Sequence, residues 1–101
     1  MNRIDCKKAS EISLQHGSQI IDIRDEESYL SGHIAGAIHI DNSSLNQFMT
    51  SSDPTQPLLS YCYHGNSSQQ AAQYFIEKGF EQVYSVDGGF EQWKKTAPPA
   101  I

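Results

Sequence analysis

The sequence predicts an α/β domain in which a parallel β-sheet carries helices on both faces. Short apolar runs that suit buried strands alternate along the chain with segments whose apolar residues recur at helical spacing. Glycines and helix-capping residues mark most of the changes between the two patterns. With 101 residues the chain can form one hydrophobic core, so we expect a single domain over 1–101.

Capping residues set the expected ends of the first three helices. The strands of the sheet are expected at 3–6, 19–23, 37–40, 58–61 and 83–86. The first helix, over 8–15, stops at Gly17, and the second begins at a cap on Asp25 and ends at Gly32. The third follows a cap on Asp41 or Asn42. Its apolar face is formed by Leu45, Phe48 and Met49.

The last two helices have similar signals. Asn66 or Ser67 caps the fourth helix, which runs to about residue 78 and stops at Gly79. Phe80 is then placed to pack back on Phe75, as in a Schellman cap. A cap on Asp87 opens the fifth helix, and two prolines stop it, Pro98 and Pro99.

The composition argues against several classes of partner. Twelve acidic and seven basic residues give a net charge of −5 without a basic cluster, so nucleic acid is not an expected partner. The chain has no apolar run of membrane-spanning length and no apolar segment of a secretory signal at its start. We therefore expect no membrane association and a cytoplasmic location. A metal site is not expected, because four histidines are scattered, at 16, 33, 39 and 64.

The stretch that carries chemistry is a polar loop behind the fourth strand. The strand ends at Cys62, and a loop that contains Gly65 leads into the fourth helix. Sites in parallel sheets lie at the carboxyl ends of strands. Loop amides and a helix N-terminus lower the pKa of a thiol and can hold a negative sulfur. Gly65 permits a tight backbone, and Ser67 and Ser68 add hydroxyl donors. The chain's other cysteine, Cys6, is remote in sequence, so the pattern favours covalent transfer through one thiolate.

These residues alone leave a second interpretation open. Free cysteines are most often buried and inert, and Cys62 would then be a structural core residue. Cys6 is expected to be such a residue. In a reducing cytosol we do not expect a disulfide between the two.

Four stretches of the chain resemble the rhodanese family, and they occur in the family's order. They are Asp22 to Asp25 (Asp-x-Arg), Gly32 to Ala37 (Gly-His-Ile-x-Gly-Ala), Cys62 to Ser68 (the active-site loop) and Asp87 to Trp93 (Gly-Gly-x-x-x-Trp). Together they span 20–93, which is most of the chain. The loop is most similar to that of the small single-domain thiosulfate sulfurtransferases.

The resemblance implies a fold and a reaction. The fold is the rhodanese-like three-layer α/β/α arrangement, with a five-stranded parallel sheet of order 3-2-4-5-1. In the reaction, the Cys62 thiolate takes the outer sulfur of thiosulfate as a persulfide and passes it to cyanide or to a dithiol such as thioredoxin. The binding loop that this implies consists of Tyr63, His64, Gly65, Asn66, Ser67 and Ser68. The resemblance implies neither a cofactor nor a metal.

The chain departs from the family pattern at positions that would meet an anion. Many relatives carry Arg or Lys inside the loop, where this chain has Tyr63 and His64. Two-domain members also have an Arg at the position of Ser28. We therefore expect weak thiosulfate binding and a high KM. His64 is expected to shape the loop rather than to take part in catalysis, because a histidine is mostly neutral at pH 7.

Three further residues are expected to support the site. Arg24 either lines the site and attracts the anion or pairs with an acid such as Asp25 and fixes the loops, and we favour the second role. His33, directly after Gly32, is expected to make a supporting hydrogen bond in the turn.

Three alternatives remain for the function. A phosphatase or arsenate reductase needs an Arg six positions after the cysteine, where this chain has Ser68. A rhodanese-like binding or regulatory module would need no cysteine, yet Cys62 is present. A persulfide relay that uses another sulfur donor is compatible with the sequence.

Overall fold

Five strands and five helices alternate in the computed structural model, which describes residues 2–96. The strands are β1 (Asn2–Ile4), β2 (Gln19–Asp22), β3 (Ile38–His39), β4 (Leu58–Tyr61) and β5 (Val83–Val86). The helices are α1 (Cys6–Ser13), α2 (Glu26–Ser31), α3 (Leu45–Ser51), α4 (Ser67–Glu77) and α5 (Gly89–Thr96). Within this part of the chain every helix is too short or too polar to cross a lipid bilayer.

All strand pairs in the sheet are parallel, and the order is β1-β5-β4-β2-β3. This is the expected order 3-2-4-5-1 counted from the opposite edge, so the predicted topology is confirmed. β4 lies at the centre, with Tyr61 beside Asp22 of β2 and Ser60 beside Ser85 of β5. The chain therefore leaves the middle of the sheet at Cys62.

Two hydrophobic clusters, one on each face, hold the helices to the sheet. The alternation of side chains along β4 sends Leu59 and Tyr61 into one cluster and Leu58 into the other. The first cluster contains residues of α1 and α5, among them Ala9 and Trp93. The second cluster contains buried residues of α3 and α4, which are Phe48, Ala72 and Phe75. The expected helices on both faces are thus present.

Two helix starts differ from the sequence prediction. α1 begins at Cys6, because the carboxylate of Asp5 accepts a hydrogen bond from the Lys8 amide (2.8 Å) and caps the helix. The first strand is correspondingly shorter than 3–6. α3 begins at Leu45 with Ser44 as its N-cap residue, so the cap on Asp41 or Asn42 was wrong. The Asp41 carboxylate instead accepts hydrogen bonds from the Ser43 and Ser44 amides in the preceding turn.

The other helix ends agree with the prediction. Asp25 caps α2 by accepting from the Ser28 amide (3.1 Å), and Gly32 follows the helix. After α4, the Phe80 amide donates to the Phe75 carbonyl and Gly79 donates to Ile76, which is the Schellman pattern. The Phe75 and Phe80 rings meet edge to face, with centroids 5.2 Å apart. The stop at Pro98 and Pro99 lies outside the described residues.

The start of the last helix is only in part as expected. α5 begins at Gly89, two residues after Asp87. The Asp87 carboxylate accepts a hydrogen bond from Arg3 Nε at 2.9 Å. This contact ties the segment before α5 to the edge strand β1.

Candidate active site

The Cys62 sulfur faces a set of hydrogen-bond donors at the start of α4. Its Sγ accepts from the backbone amides of Gly65 (3.2 Å) and Ser68 (3.3 Å). The Ser68 hydroxyl oxygen lies 3.5 Å from Sγ on the same side. The side chain is 7% exposed and belongs to a free cysteine. The sulfur is therefore buried among donors, which differs from a thiol enclosed by hydrocarbon.

These donors lower the pKa of the Cys62 thiol below its ordinary value. Burial is the largest single influence on the pKa and acts in the opposite direction, because it disfavours the charged sulfur. The Ser68 hydroxyl and the amides of Ser68, Gly65 and His64 together outweigh it. The geometry thus stabilises the thiolate form of Cys62 relative to that of an ordinary cysteine.

The first turn of α5 holds the other side of the loop. The Phe90 amide donates to the Cys62 carbonyl (2.8 Å), and the Glu91 amide donates to the Tyr63 carbonyl (3.2 Å). With their carbonyls bound at α5, the loop residues can turn the following amides toward the sulfur. A Cβ at Gly89 would lie 2.3 Å from the Cys62 carbonyl oxygen, so this contact requires glycine.

Gly65 closes the loop in the predicted tight conformation. Its φ of +97° lies in the region that favours glycine. An added Cβ would be 3.1 Å from the Gly88 nitrogen, so the loop packs directly on the segment before α5.

The remaining predicted loop residues line the outside of the site. Tyr63, His64, Asn66 and Ser67 are all exposed. The Tyr63 hydroxyl hydrogen-bonds with the Ser28 hydroxyl of α2. Asn66 occupies the N-cap position of α4 but makes no side-chain capping bond. Of these four residues, His64 acts on the sulfur through its backbone amide.

Arg24 is engaged in a buried ion pair, with Asp22 rather than with the expected Asp25. Its Nε and Nη2 donate to the Asp22 carboxylate at 3.0 and 2.7 Å, and Nη2 also donates to the Gly32 carbonyl at 2.6 Å. The guanidinium lies over the Phe90 ring, 4.3 Å from its centroid. Burial acts to lower the pKa of Arg24, but the neighbouring groups that raise the pKa, chiefly the Asp22 carboxylate, together outweigh it. The guanidinium therefore stays charged. The motif around Arg24 therefore joins β2 to the turn after α2.

Asp25 and His33 also make local contacts. The Asp25 carboxylate accepts from the Ser28 hydroxyl (2.7 Å), and the Ser28 contacts lower the pKa of this exposed carboxyl. His33 Nδ1 donates to the Tyr29 carbonyl at 2.8 Å, and its ring stacks on that of Tyr29 with centroids 3.9 Å apart. This is the turn contact expected for His33, and neither side chain is among the donors to the sulfur.

The roles of two residues of the site region escaped the sequence analysis, although it named Asp22 as part of the Asp-x-Arg stretch. Asp22 is completely buried and also accepts from the Tyr61 hydroxyl at 2.5 Å. Burial and this bond to Asp22 raise the pKa of Tyr61 well above its ordinary range. Ser85 of β5 lies below the loop, with its hydroxyl 2.8 Å from that of Ser68. Asp22 is the last residue of β2 and Arg24 lies in the bend that follows, where the Arg24 amide donates to the Asp22 carboxylate at 2.8 Å. Ser85 gave no local signal.

The fold and the site define a class of α/β domains with one cysteine in a tight loop at the carboxyl end of the central strand. Residues 5–96 match the family described as the rhodanese-like domain, and the chain belongs to this family. It is 55% identical over 84 residues to a protein of Pseudomonas paraeruginosa named thiosulfate sulfurtransferase GlpE, across 83% of this chain and 76% of the relative. A protein of Ectopseudomonas mendocina with the same name is 50% identical over 96 residues, across 95% and 87%.

Solved structures agree with this assignment. The rhodanese-like domain of the Alr3790 protein from Anabaena superimposes with a TM-score of 0.75 at 28% identity, over 82% of this chain and 97% of that one. The resemblance predicted from the four motifs is thereby confirmed, as are the fold class and its strand order.

Proposed function

We propose that this chain is a thiosulfate sulfurtransferase that carries the transferred sulfur on Cys62. The observation that carries the proposal is the position of Sγ, 3.2 and 3.3 Å from the amides of Gly65 and Ser68. The relatives named thiosulfate sulfurtransferase support the choice of donor, since they cover most of this chain.

In the first half-reaction the Cys62 thiolate attacks the outer sulfur of thiosulfate. A new S–S bond forms at Cys62, and the S–S bond of thiosulfate breaks, so that sulfite leaves with the electron pair. The lowered pKa of Cys62 increases the fraction of the sulfur that is thiolate, the nucleophilic form. The loop amides stabilise negative charge on sulfur in the Cys62 thiolate and in the Cys62 persulfide, as an oxyanion hole does for oxygen.

In the second half-reaction an acceptor removes the outer sulfur. Cyanide attacks that sulfur through carbon, thiocyanate forms, and the Cys62 thiolate is restored. A dithiol such as thioredoxin is the proposed cellular acceptor: one thiolate takes the sulfur as a persulfide, and the second thiol releases it as hydrosulfide while a disulfide forms. We propose that both steps take place in the cytoplasm.

We propose backbone roles for most of the loop. The amides from His64 to Ser68 hold the persulfide, while Tyr63, Asn66 and Ser67 shape the loop from outside. Arg24, Asp25 and His33 support the neighbouring turns. Because the Arg24 guanidinium is bound to Asp22, it does not replace the cations that the loop lacks at Tyr63 and His64. The expected high KM follows from the lack of those cations.

The test is the release of sulfite from thiosulfate, with two cysteine variants as a matched pair. Cys62→Ser should lose about three orders of magnitude in rate. Cys6→Ser, which changes the chain's other cysteine, should keep its rate within about twofold. Equal rates for wild type and Cys62→Ser would contradict the proposal.

The same preparation separates the alternatives. Hydrolysis of a phosphate ester that depends on Cys62 would favour phosphatase chemistry, although Ser68 stands where such a loop needs an arginine. A folded protein that releases no sulfite from thiosulfate but accepts sulfur from a persulfide would be a relay with another donor. Failure with every sulfur donor would favour a binding module.

A further inference from the structure

Below Cys62, two serine hydroxyls continue the set of donors away from the loop. The Ser68 hydroxyl oxygen lies 3.5 Å from Sγ and 2.8 Å from the hydroxyl oxygen of Ser85. Ser85 belongs to β5 and is 17 residues from Ser68 in sequence. The sheet therefore brings a second serine hydroxyl to the Ser68 hydroxyl from outside the loop.

Packing does not explain a serine at position 85. The side chain is completely buried and lies on β5 between the buried valines Val83 and Val86. A buried hydroxyl is unfavourable unless it is hydrogen-bonded, and an apolar β-branched residue would suit such a strand position better. The contact with Ser68 satisfies the hydroxyl, and Ser68 is itself completely buried.

The direction of the hydrogen bonds depends on the charge of the sulfur. A hydroxyl has one hydrogen, so Ser68 can donate either to Cys62 or to Ser85. A thiolate can only accept, which requires the Ser68 hydrogen to point at Sγ. The lone pairs of Ser68 are then free to accept from Ser85.

We propose that Ser85 is a positioning residue for Cys62. Its hydroxyl donates to Ser68 Oγ and so turns the Ser68 hydrogen toward the sulfur whenever the sulfur is anionic. With a protonated thiol the order reverses, because the S–H group donates to Ser68 and Ser68 donates to Ser85. Linked hydrogen bonds strengthen one another, so Ser85 stabilises the thiolate without touching it. The inference rests on the proposed role of Cys62 as the sulfur carrier.

The test is a titration of the Cys62 thiolate by its ultraviolet absorbance, with Cys62→Ser protein subtracted as the blank. Ser85→Ala should raise the pKa of Cys62 by about 0.3 to 1 unit. Ser60→Ala is the matched control. Ser60 is equally buried and lies beside Ser85 on β4, but its hydroxyl has no hydrogen-bond partner among residues 2–96. Ser60→Ala should leave the pKa of Cys62 unchanged, and an equal rise in both variants would overturn the proposal.

A second pair of variants distinguishes the effect of the hydroxyl group at position 85 from the effect of side-chain size. Thr and Val at position 85 have the same shape, but Thr keeps the hydroxyl. Ser85→Thr should titrate like wild type and Ser85→Val like Ser85→Ala. The same pKa in the Thr and Val variants would overturn the proposal.

A double-mutant cycle tests whether Ser85 acts through Ser68. In a Ser68→Ala background, Ser85→Ala should add no further rise. A full additional rise would show that Ser85 acts by another route and would contradict the inference. The titration needs no sulfur donor, so its outcome is independent of sulfite release. A protein that failed to release sulfite would lose the proposed function, whatever its titration showed.

Discussion

The two cysteines of the chain are similar in burial and differ in what faces the sulfur. Cys6 is 3% exposed and is the first residue of α1, while Cys62 is 7% exposed and lies just before α4. The Cys6 Sγ lies 3.6 Å from a carbonyl oxygen, that of Asp87. The Cys62 Sγ lies 3.2 and 3.3 Å from two amides.

This difference shows that burial and a nearby helix start do not determine whether donors or acceptors face a cysteine sulfur. A carbonyl oxygen can only accept, so it stabilises the protonated thiol, whereas amides can only donate and stabilise the thiolate. At Cys62 the loop folds back over the sulfur so that its amides converge. At Cys6 the side chain packs into the core cluster with Ala9 and Trp93.

The comparison attributes the lowered pKa of Cys62 to hydrogen-bond donors, and the charge of Arg24 is the main alternative cause. A cation close to the sulfur would also favour the thiolate. We expect Arg24→Gln to cost about 3–5 kcal/mol of folding free energy, because it leaves the Asp22 carboxylate buried without its partner. In the folded fraction, the pKa of Cys62 should remain within about 0.3 unit of wild type and the KM for thiosulfate within about twofold. Denaturant unfolding measures the loss of folding free energy, and initial rates measure the KM. A tenfold rise in the KM of Arg24→Gln would show that Arg24 binds the anion. Separately, a low micromolar KM in wild type would contradict the expected weak binding of thiosulfate.

A substitution at Gly89 tests whether the contact with α5 holds the loop in the conformation that directs its amides at the Cys62 sulfur. Gly89→Ala should cost about 3 kcal/mol, because its Cβ would lie 2.3 Å from the Cys62 carbonyl oxygen. The control is Gly36→Ala, where φ is also positive (+83°) and an added Cβ has no heavy atom within 4 Å among the described residues. That change should cost about 1–2 kcal/mol from the backbone alone. Equal costs, with an unchanged pKa of Cys62, would show that the contact with α5 does not set the loop.

The pH dependence measures the donors directly. Ser68→Ala removes one hydroxyl donor and should raise the pKa of Cys62 by about 1–2 units. Because the thiolate is the reactive form, the rise of the sulfite-release rate with pH should move to higher pH by the same amount.

The stability of the folded protein should also depend on pH. In wild type the pKa of Cys62 is lower in the folded than in the unfolded chain, so between these two pKa values only the unfolded chain binds the proton. Stability should therefore rise with pH across that window, and it should rise less in Ser68→Ala. Identical profiles for the two proteins would contradict the role of Ser68.

Much of this site was accessible from the sequence because its signals are local. The strand that ends at Cys62, the glycine three residues later and the helix that follows are contiguous, and they fix both the position of the thiol and the direction of the amides. The cap on Asp5 was missed, although its signal is also local, since an acid directly precedes Cys6 and the helical spacing of Ala9 and Ile12.

Other features depend on contacts between distant segments. Ser85 meets Ser68 only because α4 packs against β5 in the folded chain, and a serine in a strand carries no mark of this. The partner of Arg24 was misjudged because Asp25 is adjacent in sequence, while burial on β2 places Asp22 under the guanidinium and leaves Asp25 exposed at a helix cap. Such choices are decided by burial, which the sequence shows only indirectly.

The most direct test of the account is the mass of each cysteine after thiosulfate treatment. Wild-type protein should gain one sulfur atom, peptide mapping should place it on Cys62, and cyanide should remove it. Cys6 should remain unmodified in the same sample. Sulfur on both cysteines to the same extent, or sulfite release without sulfur on Cys62, would contradict the claim that convergent amides make Cys62 the carrier.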